Sequence, residues 1–515
     1  MARPGFVLEV DRRTPPLLIP QGAGCRLEKL PLGTRVAYPA ESLPSLPDLD
    51  AAVAAALDAP VGTDPLESRV QDVESVVIVF TSDHRPVRTM GAVDVRTRIL
   101  EAIVSRLADL GVERVSLLAA NGLHRRPEES ALRHLVGERV FRSFHPEGLL
   151  ASHDATDDAR LTSIGTTSGG HEVRVNSVVA QADLVINVSL ITEPDQVGWQ
   201  QLATGVTDTA TAWAILAGRE IQAPSQIAAV LADKLAVTQI EVALDQKMYP
   251  DRLAFLAKRE WEWNVRDRAA MVGLRQSLNL APHRVRRTFF EKNPGGYGVI
   301  GLAGGAVDTV AEMTTELVHQ QQVVEVGSPA DVVICGPASS TEHNVDAVMN
   351  PLIAAWDVLA RGFNANTGIP LVRPGGVMIC FHPLMQAFNS RRHAATEDFF
   401  TTTLTETIDQ DRITAEYEEN FLHDAWYTHL YRAQNAYHGG HPLWLWHAIQ
   451  PALQHCSDII WVGADRASAE RLGMRAATTL ADALEIASNA VGRQPSIAYP
   501  HNPPSLITDV AGGLW

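Results

Sequence analysis

Apolar runs divide the chain into two blocks in which strands alternate with helices. In the first block, residues 76–80 and 115–120 are continuous apolar runs of the kind that form buried parallel strands. Residues 93–110 between them have the spacing of a helix, so the three segments predict a βαβ unit. A further buried strand is predicted at 182–190.

The second block begins near residue 327 and contains four apolar runs that predict strands, with helices between them. These runs are 331–335, 377–381, 458–462 and 496–499. From residue 191 to about residue 297 the pattern is mainly helical, with few strand-like runs. The predicted fold class is therefore α/β, with two α/β domains.

Domain boundaries follow from these blocks. We expect an irregular lead-in at 1–70 that is rich in proline and acidic residues, contains a short helix and packs on the first domain. The first domain then covers 71–326 and the second covers 327–502, with a tail at 503–515.

Polar side chains follow both strands of the predicted βαβ unit. Asp83 and Arg85 come after the first strand, and His124 and Arg125 come after the second. Because α/β folds bind ligands at the carboxyl ends of their strands, these side chains are candidates for one site. Arginine binds anions through charged hydrogen bonds, and histidine ionises near neutral pH. The pattern therefore predicts an anion site beside a group that can transfer a proton.

The composition limits the classes of partner. The chain has 515 residues, of which 46% are hydrophobic and 20% charged, enough for two globular cores. Its formal net charge of -17 argues against nucleic acid or an anionic membrane as a partner, because both need a basic face. No run reaches the roughly 18 apolar residues of a membrane span, and no signal peptide is recognised. We therefore expect a cytoplasmic protein whose partner is a small molecule, and a homo-oligomer is possible.

Metal sites and disulfides are not indicated by the sequence. The four cysteines are far apart and form no C-x-x-C pair. A stretch rich in histidine and aromatic residues covers 423–447, but its spacing matches no H-E-x-x-H pair. Within it, two glycines allow a sharp turn, so His438 and His441 are candidates for contact with a substrate.

Three further residues are candidates for substrate or phosphate binding. Thr166 and Thr167 lie in a glycine-containing turn whose N–H groups either bind a phosphate or only close the turn. His343 is the candidate from the start of the second block.

Short motifs occur along the chain in an order and spacing that resemble the nickel-dependent lactate racemase family. The resemblance runs from about residue 75 to about residue 500. Each motif alone is weakly specific, and their common order carries the resemblance. The motifs are Asp83-x-Arg85-Pro86, Gly122-x-His124-Arg125, Ser152-His153-Asp154, residues 161–170, Glu193-Pro194, residues 330–333 and Arg373-Pro374-Gly375-Gly376-Val377.

This resemblance implies a two-domain enzyme with its active site in the cleft between the domains. Members of the family use a nickel pincer nucleotide, tethered to a lysine, to take a hydride from a 2-hydroxy acid and return it to either face. On this template Arg85 holds the substrate carboxylate and His124 is a general acid/base. Asp83 then orients Arg85 or His124, and Arg125 is a neighbouring binding residue.

The sequence departs from the family pattern where the cofactor binds. In the family, a histidine after Glu-Pro is the second acid/base, and a lysine ten residues later anchors the cofactor. Here Asp195 replaces that histidine and Gly205 replaces the lysine. The nickel-ligand histidine is also missing, because no histidine occurs between residues 171 and 283. A tether needs an amine, so we expect no lysine-tethered nickel nucleotide and assign no metal ligand.

Two hypotheses follow. In the first, the protein is an isomerase or epimerase of a small 2-hydroxy acid or related carboxylate. Arg85 is then the carboxylate clamp, His124 and Asp195 transfer protons, and a noncovalent cofactor or none replaces the tethered one. In the second, the chain is a noncatalytic carboxylate- or nucleotide-binding protein on the same scaffold. The presence of Arg85 and His124 favours the enzyme, whereas the missing lysine favours the binding protein.

Overall fold

The structure is a computed structural model of the 515-residue chain. It describes residues 3–22, 24–82, 90, 93–245, 247, 249, 251–282, 285, 289, 295–337, 349–364, 367, 369–501 and 506–512. Asp83, Arg85 and His343 lie outside these described residues.

Nineteen strands are present in the described ranges. They are β1 Phe6–Glu9, β2 Leu17–Pro20, β3 Cys25–Glu28, β4 Arg35–Tyr38, β5 Ser75–Thr81, β6 Arg114–Ala120, β7 Leu150–Ser152, β8 Leu161–Thr166, β9 Glu172–Asn176, β10 Leu184–Ile191, β11 Val237–Leu244, β12 Val299–Gly305, β13 Val323–Glu325, β14 Ala330–Cys335, β15 Val372–Phe381, β16 Asp458–Val462, β17 Arg475–Ala477, β18 Ile497–Pro500 and β19 Ile507–Asp509.

Most of these strands belong to two large sheets. The first sheet has the order β12-β11-β10-β5-β6-β7 and is parallel except for its β12 edge. The second has the order β1-β4-β18-β14-β15-β16-β17 and is parallel except for its β1 edge. Two mainly parallel sheets with helices between the strands confirm the predicted α/β fold class.

Helices connect the strands and cover both sheets. In the first half of the described chain they are Leu49–Asp58, Leu66–Arg69, Val95–Asp109, Glu129–Val136, Glu138–Phe144, Ser177–Ala180, Trp199–Gly205, Thr209–Leu216, Ala223–Lys234 and Val265–Leu280. In the second half they are Val307–Gln322, Pro351–Trp356, Ala394–Asp398, Leu404–Glu406, Gln410–Glu416, Glu418–His423, Ala425–Gln434, His441–His455, Arg466–Arg471 and Leu480–Val491. None of the described helices is both long and apolar enough to cross a membrane.

The described residues also contain short helical turns. Turns of 3₁₀ type cover Asp158–Arg160, Pro194–Gln196, Asp251–Ala257 and Glu260–Glu262, and π-type turns cover Asp357–Arg361 and Phe399–Thr403.

The βαβ unit of the first sheet forms as the apolar runs predict. Strands β5 and β6 pair in parallel, and the helix between them begins after Asp94, whose side chain accepts a hydrogen bond from the Arg96 N–H. Ile99, Ile103 and Leu107 of this helix are completely buried against the sheet. The carboxyl ends of β5, β6 and β10 therefore lie at one edge of the sheet.

Strand β11 lies in a region that the pattern indicates as mainly helical. Thr238, Gln239 and Glu241 interrupt its apolar sequence, yet all three are buried. Gln239 accepts a 2.8 Å hydrogen bond from Asn187 on β10, and Glu241 accepts a 2.6 Å hydrogen bond from the Gly198 N–H. Because paired polar side chains are tolerated in a core, a buried parallel strand can contain them, and their polarity hides it in the sequence.

The segment expected as an irregular lead-in is instead ordered and shared between both sheets. Strands β1 and β4 join the second sheet, where β4 pairs in parallel with β18. The Leu49–Asp58 helix, close to the expected short helix, packs Val53 and Leu57 into the core of the first sheet. The prediction of an irregular segment differs from the structure. The runs that form β1 and β4 are only four residues long, so they were not recognised as strands.

Candidate functional site between the two sheets

A cavity of about 410 Å³ lies where strands of both sheets end. Strand β10 leads into one part of its lining, and strands β14 and β18 end at another part. The remaining lining comes from helical segments of the second block, from Gln322 and from residues 506–508 at strand β19. Its chemically distinctive side chains are Glu193, Asp195, Cys335, Trp356, Arg361 and Trp444. A cavity at the carboxyl ends of parallel strands is the usual ligand position in α/β folds.

Arg361 joins the two sides of this cavity. Its guanidinium forms an ion pair with Glu193, which follows β10, and a 3.0 Å ion pair with Asp357 one helical turn before it. Burial acts to lower the pKa of Arg361, but the two carboxylates outweigh burial and raise that pKa above its ordinary value. The turn has π-helical geometry, which occurs often at functional sites. Arg361 is therefore a fixed positive charge between two carboxylates.

Asp195 lies on the 3₁₀ turn Pro194–Gln196 and lines the cavity with an exposed side chain. Hydrogen bonds on both sides of the turn fix its position. The Gln196 side chain accepts hydrogen bonds of 3.1 Å from both the N–H and the hydroxyl of Thr192. The Gly198 N–H is bound by the fully buried Glu241. These contacts set where the Asp195 carboxylate lies.

His124 follows β6 and packs against aromatic side chains of the second block. Its half-buried ring lies 5.7 Å from that of Trp444, 6.3 Å from that of His441 and 6.4 Å from that of Tyr437, measured between ring centroids. His441 is the first residue of the His441–His455 helix and is 3% exposed. Trp444 lines the cavity, so two of the candidate histidines pack against a residue of the lining, although neither lines the cavity itself.

His438 is buried and forms hydrogen bonds with backbone groups. It is 1% exposed, its N–H donates to the Leu123 carbonyl at 3.3 Å, and its Nδ1 accepts from the Gly440 N–H at 3.1 Å. Burial lowers the pKa of His438 to about 4, so its ring is neutral near neutral pH. Nearby, the Tyr431 hydroxyl donates to the Gly122 carbonyl at 2.7 Å. These bonds attach the second block to the loop that positions His124.

The remaining candidates lie elsewhere or outside the described chain. Thr166 and Thr167 belong to the hairpin of β8 and β9, and Thr166 lines a groove against the Ala223–Lys234 helix, not the cavity. Arg125 is 8% exposed beside His124. The proposed clamp Arg85, with Asp83 and His343, is outside the described residues, so their roles stay predictions.

His153 and Asp154, quoted above as part of a family motif, have separate partners. His153 is completely buried between the Thr207 carbonyl, 2.8 Å from its Nε2, and the Asn176 amide, and burial lowers its pKa to about 4. Asp154 is 3.5 Å from Arg126 and accepts hydrogen bonds from Thr156. The contacts of this pair support the loop after β7.

Position 205, where the resemblance places a cofactor-anchoring lysine, has no room for a side chain. A Cβ atom there would lie 2.8 Å from the Ala120 Cβ. The Gly205 carbonyl also accepts a 3.0 Å hydrogen bond from the Gly122 N–H. Among the described residues, no group of three histidine, cysteine or acidic side chains is arranged to hold a metal. These residues do not fit a lysine-tethered nickel nucleotide.

Several residues of the cavity were not found by sequence reasoning. Trp356, Asp357 and Arg361 lie on consecutive helical turns. His393, outside the cavity lining, packs 6.1 Å from His441 between ring centroids. The only local signal is the four-residue spacing of Asp357 and Arg361, which is common on solvated helices.

Comparisons with known proteins agree with the fold. A family model described as the lactate racemase N-terminal domain matches residues 28–205. The lactate racemase of Lactiplantibacillus plantarum is 28% identical over 135 residues, which cover 26% of this chain and only 30% of that relative. The lactate racemase apoprotein of Thermoanaerobacterium thermosaccharolyticum superposes with a TM-score of 0.61 at 16% identity, covering 96% of this chain and all of that one.

The family domain ends at residue 205, so it contains the βαβ unit, His124 and Asp195. The structural likeness extends over both sheets. Residues 28–205 of this chain are therefore similar to the lactate racemase N-terminal domain, and the chain as a whole shares the fold of the lactate racemase apoprotein.

Proposed function

We propose that this protein is an isomerase-type enzyme that acts on a small 2-hydroxy acid or a related carboxylate in the cavity between the sheets. The observation that carries the proposal is the arrangement around Trp444. Its indole lines the cavity and packs against the rings of His124 and His441, one from each block of the chain. A proton-transfer group is thereby held beside a space that a small molecule can occupy.

Each of the proposed site residues has a separate role in this reaction. His124 exchanges a proton with the substrate, because imidazole titrates near neutral pH. Asp195, fixed by its turn, is the second proton-transfer group from the same edge of the first sheet. Arg85 holds the carboxylate, since guanidinium binds carboxylate through two hydrogen bonds. The walls formed by Trp356 and Trp444 reduce the access of water.

The test starts from one enantiomer of each member of a panel of 2-hydroxy acids in D₂O. Chiral chromatography measures inversion, and mass spectrometry measures deuterium at the carbinol carbon. We expect inversion, with a rate that falls about 10² to 10⁴-fold in His124→Ala, as for loss of a general acid/base. The matched control His423→Ala removes an exposed histidine outside the cavity and is expected to keep the rate.

The same experiment distinguishes the routes of the hydrogen atom. Inversion with deuterium incorporation indicates proton abstraction next to the carboxylate. Inversion without deuterium indicates that the substrate hydrogen is returned, which requires a noncovalently bound hydride carrier. Absence of inversion with every acid of the panel contradicts the proposal.

The second candidate function is a noncatalytic carboxylate- or nucleotide-binding protein. The packing of Gly205 against Ala120 favours it, because this packing excludes the tether used by the family. Tight binding of a carboxylate, measured by calorimetry, together with no inversion would establish it.

A further inference from the structure

Two cysteines of the second sheet lie side by side. Cys335 is the last residue of β14 and Cys380 lies near the end of β15, and these parallel strands pair with Cys335 directly opposite Cys380. The two sulfur atoms are 3.9 Å apart. Both side chains belong to the same core cluster, on one face of the sheet. All four cysteines of the chain are free, so the pair is in its dithiol form.

The backbone at this pair is compatible with a disulfide. Neighbouring strands lie about 4.8 Å apart, and two residues joined by a disulfide have their Cα atoms at roughly 4.4–6.8 Å. Because Cys335 and Cys380 are directly opposite each other, the strand spacing places their Cα atoms in this range. The sulfur atoms must approach from 3.9 Å to a bond of about 2.05 Å. A disulfide therefore requires rotation of the side chains and no rearrangement of the strands.

The two thiols differ in their access to small molecules. Cys335 lines the cavity of about 410 Å³, whereas Cys380 is completely buried and is not among the described residues of the lining. Cys335 and Trp356 share a core cluster and both line the cavity, so the Cys335 side chain lies on the helical side of the sheet, where the cavity is. Burial and the neighbouring Cys335 sulfur raise the pKa of Cys380 well above its ordinary value, so this thiol stays protonated near neutral pH. An oxidant that enters the cavity therefore meets Cys335 first.

We propose that Cys335 and Cys380 form a peroxide-sensitive dithiol, in which Cys335 is oxidised first and Cys380 then closes a disulfide. Hydrogen peroxide in the cavity transfers one oxygen to the Cys335 sulfur. The S–O bond forms, the O–O bond breaks, and the departing hydroxide takes the thiol proton and leaves as water.

The second step joins the two strands. The Cys380 sulfur attacks the Cys335 sulfur, the S–O bond breaks, and the hydroxide leaves with the Cys380 proton as a second water. Two thiols are oxidised to one disulfide, and one hydrogen peroxide is reduced to two waters. This modification site is independent of the proposed function, because neither step uses the substrate.

The other two cysteines of the chain are internal controls. Cys456 precedes β16, whereas Cys380 pairs with Trp461 near the end of that strand, so Cys456 lies toward the opposite edge of the sheet. Cys25 lies on β3, which pairs with β2 in a separate two-stranded sheet. Burial raises the pKa of Cys456 to about 12 and that of Cys25 to about 11, so both thiols stay protonated near neutral pH.

Peptide mapping of the full-length chain tests the proposal. The reduced protein is treated with hydrogen peroxide, its remaining thiols are alkylated in denaturant, and the digest is analysed by mass spectrometry without reduction. We expect one linked pair of peptides, containing Cys335 and Cys380, which separates in dithiothreitol, and we expect Cys25 and Cys456 to be alkylated. The same treatment of the chain unfolded in guanidinium chloride should abolish this preference and give mixed pairings.

Three variants test the order of the steps. Alanine is the replacement, because a buried serine hydroxyl would need a hydrogen-bond partner. In Cys380→Ala the sulfenic acid of Cys335 has no resolving thiol, so dimedone present with the peroxide should label Cys335. In Cys335→Ala we expect no label on Cys380, since Cys380 is completely buried. The matched control Cys456→Ala should keep the link between Cys335 and Cys380.

Several results would overturn the proposal. A link from Cys335 to Cys456, or the same single pairing in the unfolded chain, means that the strand register does not select the partner. Dimedone labelling of Cys380 in Cys335→Ala means that the oxidant does not arrive through the cavity. If Cys335 and Cys380 are both alkylated after peroxide treatment, the pair is not a peroxide-sensitive dithiol, and this result needs only the unmodified sequence.

Discussion

The two walls of the cavity are built in different ways. On the side of the first sheet, Asp195 lines the cavity and His124 packs against Trp444 of the lining, and the two residues follow the ends of β10 and β6 by four residues each. On the second-sheet wall, Trp356, Arg361 and Trp444 lie on helical turns inside the second block. The ends of parallel strands place functional side chains at one edge of the sheet, so polar residues that follow an apolar run can be recognised in the sequence. Helical walls set the shape and charge of the cavity, and their residues become neighbours only through packing.

The ion pair that connects these walls should give the largest effect on stability. Arg361→Gln leaves Asp357, whose side chain is 1% exposed, without its guanidinium, and it also removes the contact to Glu193. Removing one partner from a buried ion pair costs about 3–5 kcal/mol, because the remaining charge stays buried after it has lost that partner. Since Arg361 keeps some exposure, we expect a loss of roughly 3 kcal/mol in the free energy of unfolding, measured by urea denaturation.

Arg412→Gln is the matched control for this prediction. Arg412 pairs with Glu416 at 2.9 Å in the same four-residue spacing, but both side chains are about half exposed. Such a surface pair contributes little to stability, because solvent screens it. If the two variants lose similar stability, the Arg361 network does not connect the walls as described.

Much of the first wall could be predicted from the sequence. The runs that form β5 and β6 are continuous and apolar, and polar residues follow them directly. The same reasoning failed for β11, because Gln239 and Glu241 are paired with partners distant in sequence. It also missed that β1 and β4 join the second sheet, since strand pairing between residues over 400 positions apart has no local signal.

The second wall could not be predicted for a related reason. Arg361 meets Glu193 and Trp444 meets His124 only when the two blocks are packed together. The stretch around His441 was recognised as rich in histidine and aromatic residues, but its partners were not identifiable. A single sequence shows which residue types are available for such a wall. It does not show which of them make contact, because those contacts depend on the tertiary structure.

A smaller effect is expected at position 205, where the resemblance places a lysine. In Gly205→Ala the new Cβ would lie 2.8 Å from the Ala120 Cβ, so the Trp199–Gly205 helix must move away from the end of β6. Overpacking of this kind costs about 1–3 kcal/mol, partly offset by the better helix propensity of alanine. We expect a net loss of about 1 kcal/mol in thermal or urea unfolding.

Gly273→Ala is the matched control, and we expect this substitution to stabilise the protein, whereas Gly205→Ala destabilises it. Gly273 is also helical, but a Cβ there meets no atom within 4 Å. The variant should be stabilised by about 0.5–1 kcal/mol, because alanine favours the helix. Equal effects of the two substitutions would show that position 205 has space for a side chain, and a tether at this position would then be possible.

The smallest effects are expected at the hairpin of β8 and β9, away from both walls. Thr166 is exposed, so Thr166→Ala should change stability by less than about 0.5 kcal/mol. The Thr167 hydroxyl accepts a 3.0 Å hydrogen bond from the His171 N–H, and its loss in Thr167→Ala should cost about 1 kcal/mol. Because this turn satisfies its own groups and lies outside the cavity lining, neither variant should change the affinity for a carboxylate ligand measured by calorimetry. A tenfold loss of affinity in Thr166→Ala would instead place the hairpin in the binding site and extend the first wall beyond the strand ends.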